Sequence, residues 1–177
     1  ERVVLNRGAT LLLFLVDTSD SMGESAGRRI SMAKGVMITW LRRARKRRDQ
    51  VGMIGFGGGK AEVVLPLTHS LDLAQRRLRE LITGGATPLP DGLRTAHELV
   101  LGARRKDPGI QPVLILLSDG QSNVSIDPVR PAEQEALQWA DQLRAARIRS
   151  IVLNMGATGW ERNFLERLTV KLNGSML

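Results

Sequence analysis

The chain alternates short, uninterrupted apolar runs with longer stretches in which apolar residues recur every three or four positions. Leu11-Leu12-Leu13-Phe14-Leu15-Val16 and Val113-Leu114-Ile115-Leu116-Leu117 contain no polar residue. Such runs suit strands buried on both faces, as in a parallel sheet covered by helices. On this pattern strands fall near 11–16, 50–56, 62–65, 112–118 and 148–154, and helices near 28–48, 71–83, 90–105, 131–146 and 160–172. In the first helix, Ile30, Ala33, Met37, Trp40, Leu41 and Ala44 form a stripe that reads as core-facing. Gly57-Gly58-Gly59-Lys60 is a short Gly-rich connection, so 50–56 and 62–65 form a hairpin, the second strand antiparallel at the sheet edge. The other neighbouring strands are joined by helices, which demands right-handed parallel crossovers. The predicted fold is α/β: a Rossmann-like, doubly wound, mainly parallel sheet with one antiparallel edge strand and helices on both faces. After Asn173-Gly174 stops the last helix, Ser175-Met176-Leu177 reads as the start of a further strand.

Length and composition fit one domain with one large core: 177 residues, 42% hydrophobic and 25% charged. No apolar stretch approaches the roughly 20 residues that span a bilayer, and residues 1–8 lack the layout of a secretory signal. The absence of cysteine excludes disulfides and thiolate metal sites from this chain and fits a cytoplasmic location. Charge changes the picture more. The net +8 comes from 26 Lys+Arg against 18 Asp+Glu. The basic residues cluster at Arg42-Arg43-Ala44-Arg45-Lys46-Arg47-Arg48, at Arg76, Arg77 and Arg79, at Arg104-Arg105-Lys106, and at Arg144, Arg147 and Arg149. Most lie in the last turns of predicted helices, where each offsets the helix dipole by ~0.3–1 kcal/mol. The functional alternative is an acidic partner surface drawn by the summed field. Nucleic acid is disfavoured, because a chain with no Tyr, three Phe and three Trp shows no stacking platform beside its basic runs.

Candidate chemistry sits where the apolar runs end. The first run leads into Asp17-Thr18-Ser19-Asp20-Ser21, and the second into Ser118-Asp119-Gly120. Open α/β sheets place ligand sites at the carboxyl ends of their strands, so both aspartates can face one crevice. Gly84-Gly85-Ala86-Thr87-Pro88-Leu89 adds a hydroxyl on a loop between two helical patterns. Asp17, Ser19, Ser21, Thr87 and Asp119 are all hard oxygen donors, the type that Mg²⁺ selects over thiolate or imidazole. The simpler reading of the first segment alone is an Asp/Ser cap opening the next helix. Catalytic readings fare worse. An Asp-x-Asp phosphatase pattern fails at Ser19, no Gly-x-Ser-x-Gly elbow surrounds Ser19 or Ser21, and Gly55–Lys60 lacks the Ser/Thr and helix of a phosphate loop. The only histidines, His69 and His97, fall in surface or packing contexts.

The five oxygen donors resemble the metal-ion-dependent adhesion site (MIDAS) of von Willebrand factor A domains: Asp-x-Ser-x-Ser, a distant Thr and a distant Asp. The resemblance implies that Ser19, Ser21 and Thr87 bind a divalent ion while Asp17 and Asp119 neutralise charge and orient water. Neutral ligands leave the ion electrophilic, with a position open for a partner's carboxylate. Mg²⁺ is the expected ion, with Mn²⁺ or Ca²⁺ as substitutes. Asp20 departs from the family pattern, where Gly is common. Residues 29–35, 48–56, 61–66 and 84–89 further resemble the C-terminal domain of magnesium chelatase D subunits, with cobalt-chelatase relatives similar. That resemblance implies that 1–177 is one such domain cut from a longer subunit, with an N-terminal AAA+ module and an acidic linker. It implies a non-catalytic coupling role between an AAA+ ATPase I subunit and a porphyrin-binding H subunit during ATP-dependent Mg²⁺ insertion into protoporphyrin IX, in (bacterio)chlorophyll biosynthesis. The location would be cytoplasmic, or the plastid stroma in a photosynthetic eukaryote. An adaptor domain of a MoxR-type AAA+ system is the competing reading.

Overall fold

Every residue of the first strand after Thr10 is buried, as its unbroken apolar run requires of the centre of a sheet. The computed structural model describes residues 9–24, 28–44 and 49–177. The end of the basic run, 45–48, lies outside the described residues, as do residues 1–8 and the side chains of Arg43 and Ala44. Along the chain run β1 (Thr10–Asp17), α1 (Asp20–Glu24), α2 (Arg28–Ala44), β2 (Gln50–Gly57), β3 (Lys60–Thr68) and α3 (Leu71–Glu80). They are followed by α4 (Leu89–Lys106), β4 (Gln111–Ser118), α5 (Ala132–Ala145), β5 (Arg149–Asn154), α6 (Gly159–Leu172) and β6 (Ser175–Met176). The strand order is β3-β2-β1-β4-β5-β6, parallel throughout except for antiparallel β3.

Alternation along β1 divides the core in two. Leu11, Leu13 and Leu15 point to the face covered by α4, α5 and α6, where they meet Leu93, Ala140 and Leu165 among others. Leu12, Phe14 and Val16 point to the face carrying α1, α2 and α3, with Met22, Met37 and Leu78. Each fully buried side chain of this size contributes ~1.5–3 kcal/mol. The stripe of α2 packs as its spacing dictates, with Ala33, Met37 and Leu41 buried and Ile30 and Trp40 against them. Trp139 packs partly buried on the other core and tilts against His97, ring centroids 5.8 Å apart. Trp160 stands 56% exposed.

The sequence pattern misses three details. Five-residue α1 is too short to show a stripe. The hairpin strand runs over Lys60–Thr68, beyond 62–65, and α3 stops at Glu80. Leu81 leaves the helix in extended backbone (φ −58°, ψ 122°), burying its side chain while the chain turns toward Gly84. Two-residue β6 is the further strand expected after Gly174, parallel to β5. What matters for function is the switch at β1. Its neighbours β2 and β4 lie on opposite sides, which opens a crevice at the carboxyl ends of β1 and β4. No helix among the described residues is long and apolar enough to cross a membrane.

Candidate metal centre

Asp17 ends β1 with no exposed surface. It continues the row of Leu11, Leu13 and Leu15, as Ser118 continues the row of Leu114 and Leu116 on β4. The two rows meet at their ends, where Ser118 Oγ donates to Asp17 Oδ2 at 3.3 Å. Asp17 Oδ1 accepts from the Ser19 amide at 3.0 Å and from the Ser19 hydroxyl at 2.5 Å. This turn back onto the chain's own amide is what a short Asp at a strand end favours. Ser19 Oγ in turn lies 3.0 Å from Ser21 Oγ, so three of the candidate side chains form one run of oxygens. Asp20 opens α1 with its side chain exposed.

The loop carrying Thr87 is tied to this turn through its backbone. Gly84 N donates to Thr18 O at 2.8 Å, and Asp20 N donates to Gly85 O at 2.9 Å. From the other side, Thr87 N donates to Asn123 Oδ1 at 2.7 Å, while Asn123 N donates to Thr87 O at 3.1 Å. Thr87 is thereby fixed between the β1 exit and the segment after β4. Its side chain is 1% exposed, yet Oγ1 has no hydrogen-bond partner. Leaving a buried hydroxyl unmatched costs about 1–3 kcal/mol, so this oxygen calls for an explanation. Ser122 Oγ, three residues past Asp119, is a second buried hydroxyl without a partner.

Asp119 is 3% exposed. Its Oδ1 accepts from Gln121 N at 3.2 Å, and its Oδ2 accepts from Arg29 Nη1 at 2.9 Å. The same nitrogen donates to the Ser21 carbonyl at 3.3 Å. Gly120 turns the chain away at φ +87°, and a Cβ on it would stand 2.5 Å from the Glu161 carbonyl oxygen. Burial pushes the Asp17 carboxyl up to about 7, and the Asp119 charge adds to the rise, against hydrogen bonds from Ser19 and Ser118 that lower it.

The five sequence-predicted residues thus gather at one strand-end crevice. Hydrogen bonds join Asp17, Ser19 and Ser21, Asp119 is linked through Arg29 to Ser21, and Thr87 joins through backbone bonds without a bond from its hydroxyl. The set fits a hard cation. It offers hydroxyl oxygens, one of them buried with its lone pairs unspent, and two buried carboxylates for charge. Among the described residues no three His, Cys, Asp or Glu side chains cluster as a metal-binding group. The pattern of donors overlooked Ser118, Asn123 and Arg29. Ser118 directly precedes Asp119, a hint available from order alone. Arg29 left a subtler trace: it sits in the first turn of α2, where the helix dipole disfavours a cation.

Residues 12–121 match the family described as von Willebrand factor type A domain, a span that includes all five site residues. The magnesium-chelatase 60 kDa subunit of Cereibacter sphaeroides is 41% identical over 147 residues, which cover 81% of this chain and 25% of that protein. The magnesium-chelatase 67 kDa subunit of Chlorobaculum parvum is 35% identical over 180 residues, 96% of this chain and 28% of that one. This chain therefore spans about a quarter of the length of these relatives. Among solved structures, proximal thread matrix protein 1 from the mussel byssus, with zinc occupying its MIDAS motif, is similar in fold. Its TM-score is 0.70 at 20% identity, over 97% of this chain and 43% of that one.

Proposed function

The chain belongs to the von Willebrand factor type A domain family, and from that premise we propose that it is the Mg²⁺-dependent interaction domain of a magnesium-chelatase D-type subunit. Its role is to couple an ATPase I subunit to a porphyrin-binding H subunit during metal insertion. Ser19, Ser21 and Thr87 hold the ion through hydroxyl oxygens, while Asp17 and Asp119 supply charge and orient water. When bound, the ion supplies an electrophilic centre able to accept a carboxylate from a partner. Mn²⁺ and Ca²⁺ are the expected substitutes.

One observation carries the reading: Thr87 Oγ1 is buried without a partner beside a turn whose other oxygens already form a run. A hydroxyl needed only for packing would be cheaper as a methyl group, whereas a ligand oxygen must keep its lone pairs free. The similarity to chelatase subunits supports the choice of partners. Gly55–Lys60 lies in the β2–β3 hairpin and opens no helix, unlike the glycine-rich segment of a phosphate loop. Such an assembly works in the cytoplasm, or in the plastid stroma of a photosynthetic eukaryote.

The test is capture of I- and H-type chelatase subunits on the immobilised chain, in Mg²⁺ and in EDTA. Wild type should retain at least one subunit in Mg²⁺ only, and a Ser19→Ala/Ser21→Ala double variant should retain neither. Capture that is equal in EDTA refutes the proposal.

A further inference from the structure

Arg29 Nη1 touches two members of the candidate site at once, Asp119 Oδ2 at 2.9 Å and the Ser21 carbonyl at 3.3 Å. The Asp119 carboxylate it meets is almost wholly covered, while the guanidinium keeps 28% of its side-chain surface in solvent. Arg29 also lies against Gly156 in the turn after β5, where a Cβ would stand 2.9 Å from its Nε. The guanidinium is therefore laid into a slot between that turn and the β1 exit. Among the described residues it is the one cation paired with either buried aspartate. Its place in the first turn of α2, which carries no acidic residue, works against the helix dipole, so Asp119 is what holds it there. One guanidinium nitrogen thus serves both oxygens, the Asp119 carboxylate and the Ser21 carbonyl.

We propose that Arg29 is the resident counter-cation of this site, which a divalent ion must displace from Asp119 in order to bind. The inference rests on the cation-site reading above. It gives Arg29 a role opposite to that of a ligand: it keeps the metal-free crevice charge-balanced and sets a threshold on ion occupancy. Like charges a few ångströms apart repel appreciably even at high dielectric, so removing the guanidinium should favour the ion.

Mn²⁺ alone serves as the probe, titrated against the chain and followed by electron paramagnetic resonance of the free ion. Arg29→Gln should bind Mn²⁺ about tenfold more tightly than wild type, roughly 1.4 kcal/mol, while melting at a lower temperature in EDTA. A merely structural arginine predicts the reverse, since a damaged site binds its ion less well. Equal or weaker binding by folded Arg29→Gln, with wild type binding normally, overturns this proposal and leaves the cation site standing. Absence of binding by both proteins overturns the site and this inference with it. Should Arg29→Gln fail to fold, the wild-type chain still decides. The Arg29 Nε–H resonance, assigned by its absence from Arg29→Lys, should shift in step with Mg²⁺ saturation, and a resonance that stays fixed overturns the displacement.

Discussion

Asp17→Asn tests the electrostatics of the site without disturbing its shape. The amide keeps an oxygen for the Ser19 amide and hydroxyl, and it can donate to Ser118 Oγ, which already accepts from Gly120 N at 3.1 Å and has a second lone pair. What changes is the charge. Asp17 in the unfolded chain ionises near the ordinary 3.8, whereas burial holds the folded carboxyl to about 7. Between those limits the folded state binds the extra proton, so the metal-free chain loses stability as pH rises from about 4 to about 7, then levels off. The gap corresponds to roughly 4 kcal/mol at most, and relaxation around a buried charge brings the expected cost to about 2–4 kcal/mol at pH 8. In EDTA, Asp17→Asn should therefore be more stable than wild type by about that amount at pH 8 and nearly equal to it at pH 4. Urea unfolding across this range reads the difference directly. Adding Mg²⁺ should then reverse the order, because an ion that binds only the folded wild type restores its stability by mass action and does nothing for the amide. A variant no more stable than wild type at pH 8, or a gain that does not grow with pH, would show that Asp17 carries no buried-charge penalty.

Three further substitutions read the site and the loop beyond it. Thr87→Val removes the unpartnered hydroxyl: metal-free stability should hold or rise by up to ~1 kcal/mol while Mg²⁺ affinity by calorimetry falls at least ~10-fold, and a loss of metal-free stability would mean that the oxygen is already satisfied. Gly120→Ala forces a side chain to φ +87° against the Glu161 carbonyl, so thermal unfolding should move down by roughly 5–10 °C, about 2–3 kcal/mol; an unchanged melting temperature contradicts the close approach. Glu135 is buried in α5 and accepts from the amides of Ile126 and Asp127 at 2.6 and 3.2 Å. Glu135→Ala should accelerate hydrogen exchange at those two amides at least ~10-fold and leave β1 and β4 protected.

The fold was legible because β1 and β4 are buried on both faces and therefore could not alternate, which made them visible as runs, while the helices between them had to show one apolar stripe each. The edges were less legible. At β3 one face and one rim meet solvent, so few positions are constrained, and its nine residues announced themselves over only four. The end of α3 was hidden for a different reason: Leu81 is apolar and buried, as a helical residue would be, and only its backbone dihedrals show that the helix is over.

The site divides along the same line between what order encodes and what only packing can bring together. Asp17, Ser19 and Ser21 are neighbours in sequence, and Asp119 directly follows a strand that must lie beside β1, so topology alone delivers four of the five. Thr87 is delivered by bonds to the side chain and backbone of Asn123 and by the backbone bond from its loop to Thr18, none of which has a sequence signal. Arg29 was invisible to any search for ligand oxygens because it carries the opposite charge. Yet the physics that makes the oxygens useful requires something like it. Burying Asp17 beside the Asp119 charge raises the cost of ionising Asp17, and a fold that must survive before its ion arrives needs a local positive charge weak enough to be given up. A partly exposed guanidinium on a helix end that disfavours it meets both conditions, since it neutralises Asp119 while holding only one hydrogen bond to it.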